Sequence, residues 1–146
     1  MKLDINKLLL TFFYIGRIKY APGTIASLAA MFLFFFVPNI FFFQLICILF
    51  LIAVGLVFCD RHLSKINEKD PQYIVLDEVI GMIIALFMIP KVWSYYIVCF
   101  LIFRIFDILK PSIIFRSQEF DKSIGVIADD MLAGLLTLIL VWGYLF

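Results

Sequence analysis

Between positions 20 and 59 the chain carries no charged residue, a stretch of 40 residues. As one helix it would extend about 60 Å, twice the roughly 30 Å hydrocarbon core of a bilayer. The stretch must therefore double back, and Pro38-Asn39 is its one strong turn signal. The rest of the chain agrees. Of 146 residues, 65% are hydrophobic and only 16% charged, where a soluble domain carries about 25% charge. The mean hydropathy is +1.12. These values exclude an ordinary soluble enzyme and a disordered chain. A formal charge of +1 gives no bulk field for a polyanion, so nucleic acid is excluded as a partner.

The turn at Pro38 predicts a short helix over 24–37 and a longer one over 40–58. Further helices are expected over 73–89, stopped by Pro90, over 92–109, stopped by Pro111, and over 126–145. The first falls below the roughly 17 residues a crossing needs, so it reads as tilted or re-entrant. Residues 3–15 read as a helix on the membrane surface. A secretory signal would continue with small neutral residues, and Arg17 and Lys19 follow instead. The expected fold is all-α: one domain over 1–146, a small polytopic membrane helix bundle of four or five transmembrane or re-entrant helices plus an N-terminal interfacial helix.

The basic residues are strongly asymmetric. Five crossings put Lys2, Lys7, Arg17, Lys19, Arg61, Lys65, Lys69, Lys110, Arg116 and Lys122 on one face and only Lys91 on the other, with Arg104 inside a helix. By the positive-inside rule the N-terminus is cytoplasmic and the C-terminus is not. Five acids fall at the cytoplasmic ends of three helices: Asp77, Glu78, Asp107, Asp129 and Asp130. Helix-dipole compensation accounts blandly for the four at N-terminal ends, but not for Asp107 at a C-terminal end. Small residues lie one turn deeper, Gly81, Ala133 and Gly134, so the acidic faces are expected to meet one another rather than lipid. Carboxylates gathered at one level need a counter-charge. Arg104 and Lys110 flank Asp107 at i−3 and i+3, and an all-oxygen set suits a hard divalent cation such as Mg²⁺ or Mn²⁺.

A second feature lies at the same depth. Pro22-Gly23 turns the chain, Thr24 reads as an N-cap, and Ser27 follows in the first turn. Free N–H groups and two hydroxyls at a helix start suit an anion. An anion site beside a carboxylate–metal site is what phosphate-ester hydrolysis requires. Other candidates are weaker. Cys47, Cys59 and Cys99 have no metal-ligand spacing and read as packed thiols. His62 reads as a solvated loop residue, and Trp93 and Trp142 as anchors near the outer face.

Four blocks carry a resemblance. They are Pro22-Gly23-Thr24-x-x-Ser27, Ile74-Val75-x-Asp77-Glu78-x-x-Gly81-Met82, Phe103-Arg104-x-x-Asp107-x-x-Lys110-Pro111, and Gly125-x-x-x-Asp129-Asp130-x-x-Ala133-Gly134. In this order, over residues 22 to 134, they resemble the phosphatidylglycerophosphatase A family. Ala26 and Ser112-Ile113 depart from that family's pattern. The resemblance implies a multi-pass enzyme of the bacterial inner membrane, its active site facing the cytoplasm. It would be Mg²⁺-dependent and would hydrolyse the terminal phosphomonoester of phosphatidylglycerol phosphate, a phospholipid held in the bilayer. Asp77, Glu78, Asp129 and Asp130 would hold the metal, with Asp107 as a further catalytic carboxylate. Thr24, Ser27, Arg104 and Lys110 would bind the substrate phosphate. Attack by water or by a carboxylate stays open, as do the number of metals and the oligomeric state. The rival reading is a small cation or proton-coupled transporter that uses the acids as a relay.

Overall fold

The structure is a computed structural model and describes residues 5–64, 71–109 and 122–145. The expected loop positions Lys65, Lys69, Lys110 and Arg116 lie outside the described residues. The described residues form an all-helical bundle: α1 (Ile5–Leu10), a 3-10 turn (Ile15–Arg17), α2 (Pro22–Phe35), α3 (Phe41–Leu63), α4 (Leu76–Ala85), α5 (Trp93–Leu109) and α6 (Lys122–Leu145). Helices α2 to α6 run alternately up and down. They put the starts of α2, α4 and α6 and the ends of α3 and α5 at one end.

Among the described residues, two helices are long and apolar enough to cross a membrane, Phe41–Leu63 and Ile124–Leu145. α3 is barely covered by the rest of the protein and exposes Phe41, Phe42, Phe43, Ile46, Leu49 and Phe50, an apolar surface that water does not tolerate at this size. The expectation of a full-length third crossing is corrected. α4 has 10 residues, about 15 Å, half the hydrocarbon thickness. Its ends are flanked by tertiary bonds: Val75 N–H donates to Leu10 C=O at 2.9 Å, and beyond the other end Met88, at a left-handed φ of 57°, donates its N–H to Gln44 Oε1 at 2.9 Å. α4 is the centre of the bundle, with nine of its ten residues buried. It packs most extensively on α6, then on α2.

The N-terminal helix is also shorter than expected. Phe12, Phe13 and Tyr14 take positive φ, and Thr11 Oγ1 bonds to Lys7 C=O rather than to solvent, so the helix stops at Leu10. α3 runs past Phe58 because Cys59 and Leu63 continue its buried stripe while Asp60 and Arg61 face out. His62 therefore sits in that helix, half-buried, with its Nε2 2.8 Å from the Tyr73 hydroxyl. That corrects its reading as a loop residue. Among the described residues, which include Cys47, Cys59 and Cys99, no disulfide forms.

The far end is pinned by polar side chains turned inward. Lys91 Nζ donates to Phe34 C=O and to Tyr96 Oη, each at 2.7 Å, and burial pushes its ammonium down to about 8. Trp93 stacks on Phe35 at 4.0 Å. Gln44, fully buried, donates to Asn39 Oδ1 at 2.9 Å and accepts from Met88 N–H at 2.9 Å. It thus ties the turn after α2 to the turn after α4. Gln44→Leu leaves the Met88 N–H unpaired, a loss of about 1–3 kcal/mol. We expect a clearly lowered thermal midpoint in detergent, with the acidic end of the bundle undisturbed.

Candidate functional site

Gly81 and Gly134 bring α4 and α6 together. A Cβ on Gly134 would overlap the Gly81 carbonyl, and one on Gly81 would stand 2.5 Å from the Asp130 carbonyl and 2.7 Å from the Phe103 ring. Only hydrogen at both positions lets the two backbones touch, as the small residues beneath the acids led us to expect. One turn above this contact Asp77 and Glu78 face Asp130. One carboxylate oxygen from each of the three lies within 4.8 Å of the others. A third helix start closes on them. A Cβ on Gly23 would collide with Glu78 Oε1, so α2 seats directly against that carboxylate and a larger residue there would displace it.

These groups share one cavity of about 470 Å³, lined by Thr24, Asp77, Glu78, Arg104, Asp107, Asp129 and Asp130 among others. All five expected carboxylates therefore converge, from α4, α5 and α6. They are not equivalent. Asp129 accepts from the Asp130 N–H at 3.0 Å and lines the cavity beside the group of three. Asp107 is ion-paired with Arg104 one turn earlier, and this pair is largely shielded from solvent. Taking charges from water is costly unless they are paired and hydrogen-bonded. Here the burial leaves Glu78 Oε2 and Arg104 Nε with no hydrogen-bond partner among the described residues.

The anion side differs from expectation in detail. Thr24 is not the N-cap. Ala21 holds that position with a left-handed φ of 47°, and Pro22 opens the helix, which suits a residue without an N–H. The first helical bond runs from Ile25 N–H to Ala21 C=O, so the N–H groups of Gly23 and Thr24 precede the ladder at the cavity wall. Ser27 does not line the cavity. It is fully buried and its hydroxyl donates to Gly23 C=O at 2.8 Å. Lys110 lies outside the described residues. Lys19 and Gln72 also line the cavity, though the sequence reading did not single them out. Gln72 belongs to no block, and Lys19 precedes the first block by only three positions.

Residues 8–145 match the family described as phosphatidylglycerophosphatase A. A protein of Haemophilus influenzae named phosphatidylglycerophosphatase A is 32% identical over 87% of this chain and 80% of its own length. One of the same name from Escherichia coli is 34% identical over 84% of this chain and 73% of its own. A protein of Bacteroides thetaiotaomicron, whose name gives it provisionally as a phosphatidylinositol-3-phosphatase, is 32% identical over 86% of this chain and 84% of its own. No solved structure matches the chain.

Proposed function

This chain belongs to the phosphatidylglycerophosphatase A family and is a phosphoric monoester hydrolase of phospholipid metabolism, and on that premise we propose that it removes the terminal phosphate of phosphatidylglycerol phosphate, with Mg²⁺ as cofactor, to leave phosphatidylglycerol. We assign the reaction to the cytoplasmic face of a bacterial inner membrane, because the sequence puts ten basic residues on the side of the acids and only Lys91 on the other.

One observation carries this reading. A single cavity holds a buried carboxylate oxygen, Glu78 Oε2, and a buried guanidinium N–H, Arg104 Nε, that meet no donor and no acceptor among the described residues. A divalent cation held by the carboxylates and a phosphate held by the guanidinium satisfy both together. Asp77, Glu78 and Asp130 fit Mg²⁺ by their hard oxygen atoms and mutual distances. When bound, the ion supplies Lewis-acid polarisation of a phosphoryl oxygen. Asp107 fixes the Arg104 guanidinium by their ion pair, leaving its Nε–H for a phosphate oxygen. Thr24 and the N–H groups at the start of α2 receive further oxygens. Lys110 is assigned to the same anion. Ser27 supports them by holding the Gly23 carbonyl.

The transporter reading needs polar groups leading away from the cluster. Further along α6 the buried Thr137 donates its hydroxyl to Ala133 C=O at 2.8 Å, and the far end presents Lys91 rather than acids. The test is phosphate release by the purified protein in detergent. We expect release from phosphatidylglycerol phosphate with Mg²⁺, loss with chelator and recovery on adding Mg²⁺ back. Phosphatidylglycerol itself, a diester, should be inert. Absence of release with Mg²⁺, together with cation movement in proteoliposomes, would establish the transporter instead.

A further inference from the structure

The cavity has a floor and a rim of opposite sign. Its floor is acidic and buried: Asp77, Asp129 and Asp130 are each at most 6% exposed. Two described cations line it, Lys19 and Arg104. Arg104 is committed to Asp107. Lys19 is exposed and, among the described residues, has no carboxylate within ion-pair distance. Its ammonium lies 5.6 Å from the Tyr20 ring centre. The left-handed turn at Ala21 then carries the chain directly into α2 at the cavity wall. The uncommitted positive charge is thus held at the mouth, above a floor suited to a metal.

A phosphomonoester lipid with a polar headgroup carries two phosphates. The terminal one reacts, and the other is the phosphodiester that joins the headgroup to the diacylglycerol. With the terminal phosphate at the floor, the diester stands toward the mouth, because the acyl chains must stay in the bilayer. We propose that Lys19 binds this second phosphate and makes the enzyme selective for lipids with a phosphodiester next to the terminal monoester. Phosphatidic acid, whose single phosphate is attached directly to diacylglycerol, offers Lys19 nothing to hold. This inference rests on the phosphatase reading above.

The test compares phosphatidylglycerol phosphate with phosphatidic acid in the same mixed micelles with Mg²⁺. Lys19→Met should lower kcat/KM for the two-phosphate lipid about tenfold, mainly through KM, as befits one charge-assisted hydrogen bond. For phosphatidic acid the loss should be about two- to threefold, the effect of a lowered local potential alone. Lys19→Arg should restore the selectivity. Lys7→Ala, an exposed charge outside the cavity, controls for general attraction to an anionic surface and should leave the ratio of the two substrates unchanged. An equal loss on both lipids, or no loss on either, overturns the role of Lys19. A wild-type protein that releases phosphate from neither lipid overturns the phosphatase reading itself, so the two failures are distinguishable.

Discussion

Phosphate release falls by at least about 10²-fold in kcat/KM when Asp77, Glu78 or Asp130 is replaced by its amide, a loss on the scale of removing one preorganised electrostatic group from an active site. Asp77→Asn, Glu78→Gln and Asp130→Asn keep shape and remove one charge from the group whose oxygen atoms lie within 4.8 Å. A second measurement separates ligands from helix-end decoration. Saturating Mg²⁺ should raise the thermal midpoint of the wild type by linkage and leave the variants nearly unmoved. In chelator the order reverses: each variant should be as stable as the wild type or more so, because one of several repelling buried charges is gone. Were these acids mere dipole partners, each change would cost only about 0.3–1 kcal/mol and activity would persist. Glu68→Gln, outside the four sequence blocks, is the control and should be silent. Asp129→Asn should lose less than Asp130→Asn, because Asp129 stands beside the group of three rather than in it. Equal turnover across all these variants would remove the site.

The second large effect is at the α4–α6 contact. Gly134→Leu must push its side chain into the Gly81 backbone, which cannot swing aside as a side chain would. Overpacking of this kind costs about 1–3 kcal/mol. It also moves Asp130 away from Asp77 and Glu78, so activity should fall more steeply than stability. Gly81→Leu should behave alike, since its Cβ meets the Asp130 carbonyl and the Phe103 ring. Gly143→Ala lies on the same helix with nothing near its added Cβ. It should raise stability by about 0.5–1 kcal/mol, the intrinsic helix preference of alanine over glycine. Thermal midpoints in detergent, read beside phosphate release, check both signs. A silent Gly134→Leu would mean that the two helices do not touch there.

Much of the site was legible from residue type and position. A carboxylate near a membrane helix end is costly enough to stand out against an apolar background, and Asp107 stood out further by sitting at the wrong end of the helix dipole. Gly81 and Gly134 were legible because only small side chains permit close helix contact. Hydroxyls were less legible, because their direction is not written in spacing. Ser27 turns back to Gly23 C=O, while Thr24 stays at the cavity. Helix ends were least legible where tertiary bonds override local preference. α4 lost its first residues to the bond between Val75 and Leu10, and α1 stopped at three successive positive φ angles.

The sequence by itself determined the class of protein, the polarity of its two ends and the chemical inventory at the acidic end. Those follow from composition and from the distance along the chain between charges, which no packing can change. Only the tertiary structure decided which of the five acids stand together and that Lys19 lines the same cavity. Neighbouring residues on a helix point about 100° apart, so the choice between Asp129 and Asp130 depends on how α6 is rotated about its axis. That rotation is fixed by the contact of Gly134 with Gly81, between residues 53 positions apart in the chain. Lys19 reaches the cavity through the left-handed backbone at Ala21, a conformation that alanine does not favour and that only the surrounding packing imposes.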